Sequence, residues 1–239
     1  MITFDDLDCY MIHYTKAINR KEVMVDQFKK YNILDQVKWI EKHDQEDITY
    51  IDYTLNFTSK IPNFNLRIPP SMKGIVEDFY LKPSEVSCAF KHKQAMIDFV
   101  NTKNQYYFVM EDDIIFEDNF IEKLNHYFES LPDDWDALFI GSGAGKRIEQ
   151  SRILPNKYWY YKDYPADRCA DSVILKRNTV KSILSSLNTY GLAFPFDHEL
   201  SFWLEMDSSN VYWLEPPIVK QGSQCGLFKS LLQNGENLL

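Results

Sequence analysis

The sequence is poor in cysteine and glycine, with only four cysteines and eight glycines among 239 residues. The cysteines, Cys9, Cys88, Cys169 and Cys225, lie far apart and form no CxxC pair. This spacing excludes a local zinc knuckle and a dense disulfide framework. We therefore expect reduced thiols and a cytosol-like, cytoplasmic compartment.

The sequence also lacks long apolar runs and clusters of basic residues. No apolar run approaches the roughly 20 residues that a membrane helix needs. Residues 1–10 have neither the basic flank nor the apolar core of a signal peptide. The formal net charge is −9, and no block of lysine or arginine stands out, so nucleic acid is not an expected partner. The chain is 45% hydrophobic, which is enough to bury a sizeable core.

Short apolar runs alternate with amphipathic segments along the chain. The periodicity predicts strands over residues 9–14 and 36–40 around a helix over residues 19–31, and this order favours a parallel sheet. Further strands are predicted over residues 106–110, 136–140, 159–161, 172–175 and 211–214, and further helices over residues 84–101, 118–130, 179–187 and from Asp197.

No repeat, low-complexity tract or linker divides the chain. We therefore predict a single domain over residues 1–239, of the α/β class, with a Rossmann-like, mostly parallel sheet flanked by helices. Residues 42–83 mix polar runs with prolines and are predicted to be irregular, as in a binding loop. Residues from 216 onward are predicted to form an irregular tail.

The strongest candidate site follows the predicted strand over residues 106–110. Glu111, Asp112 and Asp113 come directly after this apolar run, and buried carboxylates are costly unless they meet water, donors or a cation. Ligands of open α/β sheets bind beyond the carboxyl ends of the strands. Carboxylate oxygens suit Mg²⁺ or Mn²⁺. We therefore predict a divalent metal with a phosphate-bearing ligand, although a solvated turn has the same composition.

Two other stretches could contact an anionic ligand. GSGAGK, residues 141–146, imitates a phosphate loop, but Ile140 stands where a Walker loop needs glycine and Arg147 replaces the serine or threonine. A loop without a phosphate role is therefore the simpler interpretation. Lys16 and Arg20 follow the first strand and could face a diphosphate, or could lie on a solvated helix face.

A second acidic group lies at the start of the helix predicted from Asp197. Asp197 could be a plain N-cap or a carboxylate that serves as a general base, with Glu199 as the second candidate. His198 could be a ligand or a proton shuttle, but a lone histidine is more often only hydrogen-bonded. For His92, on the helix before the acidic triplet, packing is the favoured role.

Four patches of the chain stand out together: YMIHYTKAINRKEVM, PSEVSCAFKHKQAM, YYFVMEDDIIFEDNF, and PFDHELSFW with YWLEPPIVKQGS. They resemble glycosyltransferase family 25, the lipopolysaccharide-type and procollagen galactosyltransferase-like enzymes. The resemblance extends loosely over residues 8–226, and the strand followed by EDD is the most specific patch. Ser87 and Lys91 depart from the family pattern, in which glycine and serine stand at these positions.

The resemblance implies a glycosyltransferase A-type fold, a nucleotide-sugar donor such as a UDP-sugar, and manganese or magnesium. Asp113 and Glu111 would bind the metal. Donor-binding roles would fall to Lys16, Arg20, Glu111, Asp112 and Gln221. Asp197 would lie near the transfer site.

The expected reaction moves a sugar, galactose or glucose, from the donor to an acceptor hydroxyl on a glycan or a hydroxylated protein, with inversion. Two alternatives stay open at this stage. One is another metal-dependent enzyme that uses nucleotides, such as a nucleotidyltransferase. The other is a non-catalytic relative that binds sugar or a partner.

Overall fold

The computed structural model describes residues 2–49, 52, 81–166, 168–229 and 231, and these form nine strands and five α-helices. The binding loop predicted over residues 42–83 lies mostly outside the described residues. The strands are β1 (Leu7–Ile12), β2 (Val37–Ile40), β3 (Tyr106–Glu111), β4 (Ile114–Phe116), β5 (Ala137–Phe139), β6 (Trp159–Tyr161), β7 (Ser172–Lys176), β8 (Val211–Leu214) and β9 (Val219–Gln221). The helices are α1 (Ile18–Lys30), α2 (Pro83–Val100), α3 (Phe120–Phe128), α4 (Arg177–Tyr190) and α5 (Phe196–Met206).

Seven strands form one mixed sheet in the order β2-β1-β3-β7-β5-β8-β6. β1 is parallel to β2 and β3, and β5 is parallel to β8. β7 is antiparallel to β3 and β5, and β6 is antiparallel to β8. The α/β class is confirmed, and the prediction of a mostly parallel sheet holds in part: five of the seven strands run in one direction, and β6 and β7 run against them. A strand that is buried on both faces has the same apolar pattern in either direction, so composition does not reveal its direction.

The interior strand β3 shows why the sheet has a core on each face. Tyr107 and Val109 belong to one apolar cluster, with residues of α2, α4 and α5. Phe108 and Met110 belong to the other, with residues of α1 and α3. Successive strand side chains point to opposite faces, so an uninterrupted apolar run fits a strand covered on both sides. Full burial of each such side chain contributes about 1.5–3 kcal/mol.

Each predicted helix start lies one or two residues from the observed one. α2 begins at Pro83 with Lys82 as its N-cap, one residue before the predicted start. Proline fits the first helical position because its φ is already fixed near the helical value. α3 begins at Phe120 after Asn119, two residues beyond the predicted start, and Asp118 forms an exposed ion pair with Lys30 at 2.8 Å. α5 begins at Phe196 with Pro195 as its N-cap, so Asp197 lies in the first turn and is not the N-cap.

The prediction of an irregular tail from residue 216 is wrong for its first part. β9 pairs antiparallel with β4 in a small two-stranded sheet, with Gln221 opposite Ile114. β9 has Val219 as its only apolar residue, so the sequence contains no apolar run or alternation that would reveal it. This sheet holds the segment after the acidic triplet against the tail. Among the described helices, none combines the length and the hydrophobicity that a membrane span requires.

Candidate active site

The acidic triplet lies at the carboxyl end of β3, as predicted. β1 and β3 are parallel neighbours, and Ile12 is in register with Glu111. The side chains that end both strands therefore meet at one edge, where Arg20 and Asp113 line a cleft. Tail residues, including Gln221, also line the cleft. This is the edge where α/β sheets bind their ligands.

Asp112 is a buried anchor in the wall of the cleft. It accepts hydrogen bonds from Arg20 Nη1 at 2.7 Å and from the Tyr14 backbone N–H at 3.1 Å, and its Oδ2 lies 2.8 Å from His13 Nδ1. Burial raises the pKa of Asp112, but the contacts with His13 and Arg20 outweigh it, and the pKa is lowered overall. The carboxylate therefore stays ionised and ties β3 to the loop after β1 and to α1.

Asp113 is buried with one oxygen left over. Its Oδ1 has no hydrogen-bond partner within the described part of the chain, while Ser223 hydrogen-bonds to the side chain. Burial and the neighbouring charge of Glu111 raise the pKa of Asp113 to about 6. A buried carboxylate that is short of donors is suited to a cation.

Arg20 is the one predicted donor-binding cation that the structure places in the cleft wall. Its guanidinium is buried, and besides Asp112 it contacts the Lys229 carbonyl at 2.6 Å and lies 4.0 Å from Asp113. The guanidinium also lies over the ring of Phe228, 5.4 Å from its centroid. Lys16 instead points to solvent and pairs with Glu46 at 2.7 Å.

Asp171 is a site carboxylate that the sequence analysis missed. It immediately precedes β7, and its backbone carbonyl accepts the Glu111 N–H at 2.9 Å. The side chain is buried, and its Oδ2 has no hydrogen-bond partner within the described ranges. Burial raises its pKa well above the ordinary value, and the charges of Glu111 and Asp113 add to that effect. Because β7 is antiparallel to β3, the start of β7 meets the end of β3.

The GSGAGK loop packs closely against the segment that carries Asp171. A Cβ on Gly141 would lie 2.7 Å from Asp171 Oδ2, and one on Gly143 would lie 2.6 Å from Cys169 Cβ. Gly145, at φ +64°, has open space around it. Gly141 and Gly143 therefore let the loop backbone lie against the segment before β7, where a side chain would not fit. This packing explains the two glycines without a phosphate-binding role.

Helix α2 places a second group of side chains beside Glu111. Glu111 Oε1 lies 3.2 Å from His92 Nε2 and 3.7 Å from Cys88 Sγ. The His92 ring stacks on Phe196 of α5 at 3.9 Å between centroids. The predicted packing role of His92 is therefore combined with a polar contact to the acidic triplet.

The two departures from the family pattern in α2 hold this helix to the segment after β2. Ser87 Oγ donates to the His43 carbonyl at 2.6 Å. Lys91 Nζ donates to the Lys42 carbonyl at 2.8 Å and to Asp44 Oδ1 at 2.7 Å. Both residues line the cleft, so the substitutions make contacts within the protein at its wall.

The two candidate bases on α5 have different surroundings. Asp197 is half-buried, and its charge contributes to raising the pKa of Cys88 and of Cys169. Glu199 lies in the core with no exposed surface, and it accepts hydrogen bonds from the Trp203 indole and from backbone N–H groups before α5. Burial raises the pKa of Glu199 to about 7. Of the two carboxylates, only Asp197 has exposed surface.

The model of glycosyltransferase family 25, described as an LPS biosynthesis protein, matches residues 6–153. Procollagen galactosyltransferase 2 from Mus musculus is 23% identical over 156 residues, which cover 64% of this chain and 23% of the relative. The protein of the same name from Homo sapiens is 22% identical with the same coverage. The chain thus matches under a quarter of the length of these relatives.

A third sequence match, over a shorter stretch of the chain, also carries a glycosyltransferase name. Alpha-1,3-mannosyl-glycoprotein 4-beta-N-acetylglucosaminyltransferase C from Danio rerio is 29% identical over 109 residues, which cover 41% of this chain and 24% of that protein. Among solved structures, A197 from STIV matches at 12% identity and a TM-score of 0.32, over 53% of this chain and 62% of that one. At this score the structural likeness carries no argument.

Proposed function

Since the chain belongs to glycosyltransferase family 25, we propose that it transfers a sugar from a nucleotide-diphosphate donor to an acceptor hydroxyl. Family membership makes it a transferase, so the non-catalytic alternative is not favoured. The observation that carries the proposal is the cleft at the ends of β1 and β3, where Arg20 and three carboxylates converge. The parallel β2-β1-β3 part of the sheet supports a glycosyltransferase A-type fold.

The carboxylates at the cleft fit a divalent cation. Asp113 and Asp171 each keep a buried oxygen without a hydrogen-bond partner within the described chain, and both pKa values are raised partly by the charge of Glu111. Carboxylate oxygens are the ligands that Mn²⁺ and Mg²⁺ prefer. Bound by Asp113 and Glu111, such an ion would act as a Lewis acid toward the leaving diphosphate.

The other residues of the cleft bind and orient the reactants. Asp112 holds Arg20 in place, and Arg20 offsets part of the negative charge of the triplet as an anionic donor enters. Gln221 lines the cleft, and its amide Nε2 would donate to a ribose or a phosphate while its Oε1 accepts from Gln224. The exposed ammonium of Lys16 would attract the anionic donor as it approaches but would not contact it in the cleft.

Asp197 is the proposed base. The acceptor oxygen attacks the anomeric carbon as the bond from that carbon to the diphosphate oxygen breaks, which inverts the configuration. Asp197 takes the proton of the acceptor hydroxyl, and the nucleoside diphosphate leaves. A positioned base of this kind contributes roughly 100- to 10,000-fold.

The names of the relatives suggest the first substrates to test. Two of them are galactosyltransferases, so UDP-galactose is the proposed donor, with UDP-glucose next. The proposed acceptor is a hydroxylated protein or a glycan. UDP-N-acetylglucosamine belongs in the panel because of the third relative.

The experiment incubates the chain with each nucleotide-sugar, with and without Mn²⁺, and identifies the product nucleotide. Release of UDP that depends on Mn²⁺ is the expected result, whereas release of inorganic diphosphate would indicate a nucleotidyltransferase. Asp113→Asn should abolish Mn²⁺-dependent donor binding in calorimetric titrations. Asp118→Asn is the matched control, because Asp118 is an exposed acid on the same segment. An unchanged titration with Asp113→Asn contradicts the metal site.

A further inference from the structure

Cys88, His92 and Glu111 bring three different ligand types together at one side of the cleft. Cys88 and His92 are four residues apart on α2, so they lie on the same helix face, and β3 ends at Glu111 beside them. No two of the three ligand atoms, one per residue, are more than 4.8 Å apart. Within the described residues this is the only such group of histidine, cysteine and acidic side chains.

We propose that Cys88, His92 and Glu111 form a binding site for a borderline-soft divalent metal and that Zn²⁺ is the metal it prefers. Sulfur and imidazole nitrogen are ligands that Zn²⁺ accepts, whereas Mg²⁺ and Mn²⁺ prefer oxygen alone. This site differs in chemistry from the all-oxygen site proposed around Asp113.

Two of the three separations match the edges of a zinc tetrahedron. Bonds of about 2.3 Å to sulfur and about 2.1 Å to nitrogen and oxygen, at tetrahedral angles, separate sulfur from oxygen by about 3.6 Å and nitrogen from oxygen by about 3.4 Å. The observed separations from Glu111 Oε1 are 3.7 Å to Cys88 Sγ and 3.2 Å to His92 Nε2. Glu111 is therefore already at metal-ligand distance from both partners, and the third separation is at most 4.8 Å.

The orientation of the histidine is fixed by packing. His92 is fully buried, its ring stacks on Phe196 with an interplanar angle of 8°, and its Nδ1 has no hydrogen-bond partner within the described ranges. Stacking therefore holds Nε2 toward Glu111 and Cys88, a preorganisation that metal sites need.

The fourth coordination position would face the cleft. Cys88 and Glu111 both line the cleft wall, so a water or a ligand oxygen can complete the tetrahedron, as in zinc sites with three protein ligands. Both contacts use Glu111 Oε1, so the site needs only one of the two carboxylate oxygens.

Hydrogen bonds from the thiol and the imidazole to Glu111 would give the same distances, so the test must detect a metal–sulfur bond. The full-length chain, stripped of metal with a chelator, is titrated with Co²⁺ as a spectroscopic substitute for Zn²⁺. We expect a sulfur-to-cobalt charge-transfer band in the near ultraviolet, intense tetrahedral bands in the visible, and loss of both on addition of Zn²⁺.

Cysteine variants show which thiol binds the metal. Cys88→Ser should abolish the charge-transfer band, and His92→Gln should abolish the tetrahedral spectrum. Cys169→Ser and Cys225→Ser should keep both. Absence of the band from the wild type, or its persistence in Cys88→Ser, overturns the proposal.

A second measurement needs no variant. Zn²⁺ should slow alkylation of Cys88 but not of Cys225, as followed by mass spectrometry of the wild-type protein, and equal alkylation rates with and without Zn²⁺ would also overturn the proposal. Both experiments use the metal alone, so their failure leaves the sugar-transfer assay unaffected.

Discussion

Arg20 Nη1 donates a hydrogen bond to Asp112 Oδ1 across 2.7 Å, and both side chains are buried. This ion pair joins α1 to the segment after β3. Breaking such a pair from one side leaves an uncompensated charge in the interior, which costs more than the pair itself contributes. The contact is therefore essential for the position of the acidic triplet.

We expect Arg20→Met to lower the free energy of unfolding by about 3 kcal/mol, because Asp112 loses its cationic partner. Urea unfolding measures the effect. The double variant Arg20→Met with Asp112→Asn should lose less than the sum of the single changes, since neither charge is then left alone. Lys30→Met, which breaks the exposed pair with Asp118, is the control and should leave the midpoint almost unchanged. Additive losses would contradict the coupling.

The position of the triplet could be predicted because it depends on local pattern alone. An apolar run that ends in carboxylates requires a strand with its acidic end at an edge, and Glu111 ends β3 in the structure. β6 and β8 match the predicted ranges 159–161 and 211–214 for the same reason.

The rest of the site depends on pairing between distant strands. Asp171 reaches the triplet only because β7 is antiparallel to β3, and no local pattern encodes strand direction. Ser223 and Gln221 reach the cleft through β9, in which Val219 is the only apolar residue, so no apolar run marks the strand in the sequence. His13 lies just beyond the end of β1, and its contact with Asp112 follows from the parallel register of β1 and β3.

Asp113 should make the stability of the metal-free protein fall as the pH rises. Its pKa is raised from 3.8 to about 6 in the folded state, so the native protein binds this proton more tightly than the unfolded chain does. The contribution of the protonated Asp113 to the free energy of unfolding is therefore fully present below pH 3.8, and it is lost as the pH rises through about 6.

Asp113→Asn removes this titration. We expect the variant to be as stable as the wild type near pH 4, and more stable at pH 7 by up to about 3 kcal/mol. Chemical denaturation of both proteins in a chelator, across this pH range, measures the difference. A constant difference at all pH values would contradict the raised pKa.

Gly141→Ala should disrupt the site through Asp171. The added Cβ would contact Ser172 Oγ and approach Asp171 Oδ2 to 2.7 Å, so we expect a loss of about 1–3 kcal/mol in unfolding free energy and a loss of Mn²⁺-dependent donor binding. Gly145→Ala is the matched control, because its cost comes from the left-handed backbone, at about 1–2 kcal/mol, with open space for the methyl group. Equal donor binding by both variants would exclude a role for Asp171.

Asp197 and Glu199 should respond differently to the same amide substitution. Asp197→Asn should keep donor binding and lower the transfer rate by roughly 100- to 10,000-fold, because the amide cannot take the acceptor proton. Glu199→Gln should instead lower stability by about 1–3 kcal/mol, because its NH₂ group would face the N–H donors that the carboxylate now accepts from.

Transfer rates normalised to folded protein, together with donor titrations, separate these two outcomes. For Glu199→Gln the normalised rate should equal that of the wild type, since its side chain is fully buried and supports the turn that starts α5 through the amides of Ala193 and Phe194. If Asp197→Asn transfers sugar at the wild-type rate, Asp197 is not the base. If only Glu199→Gln loses normalised activity, the assignment of the base must move to the buried carboxylate.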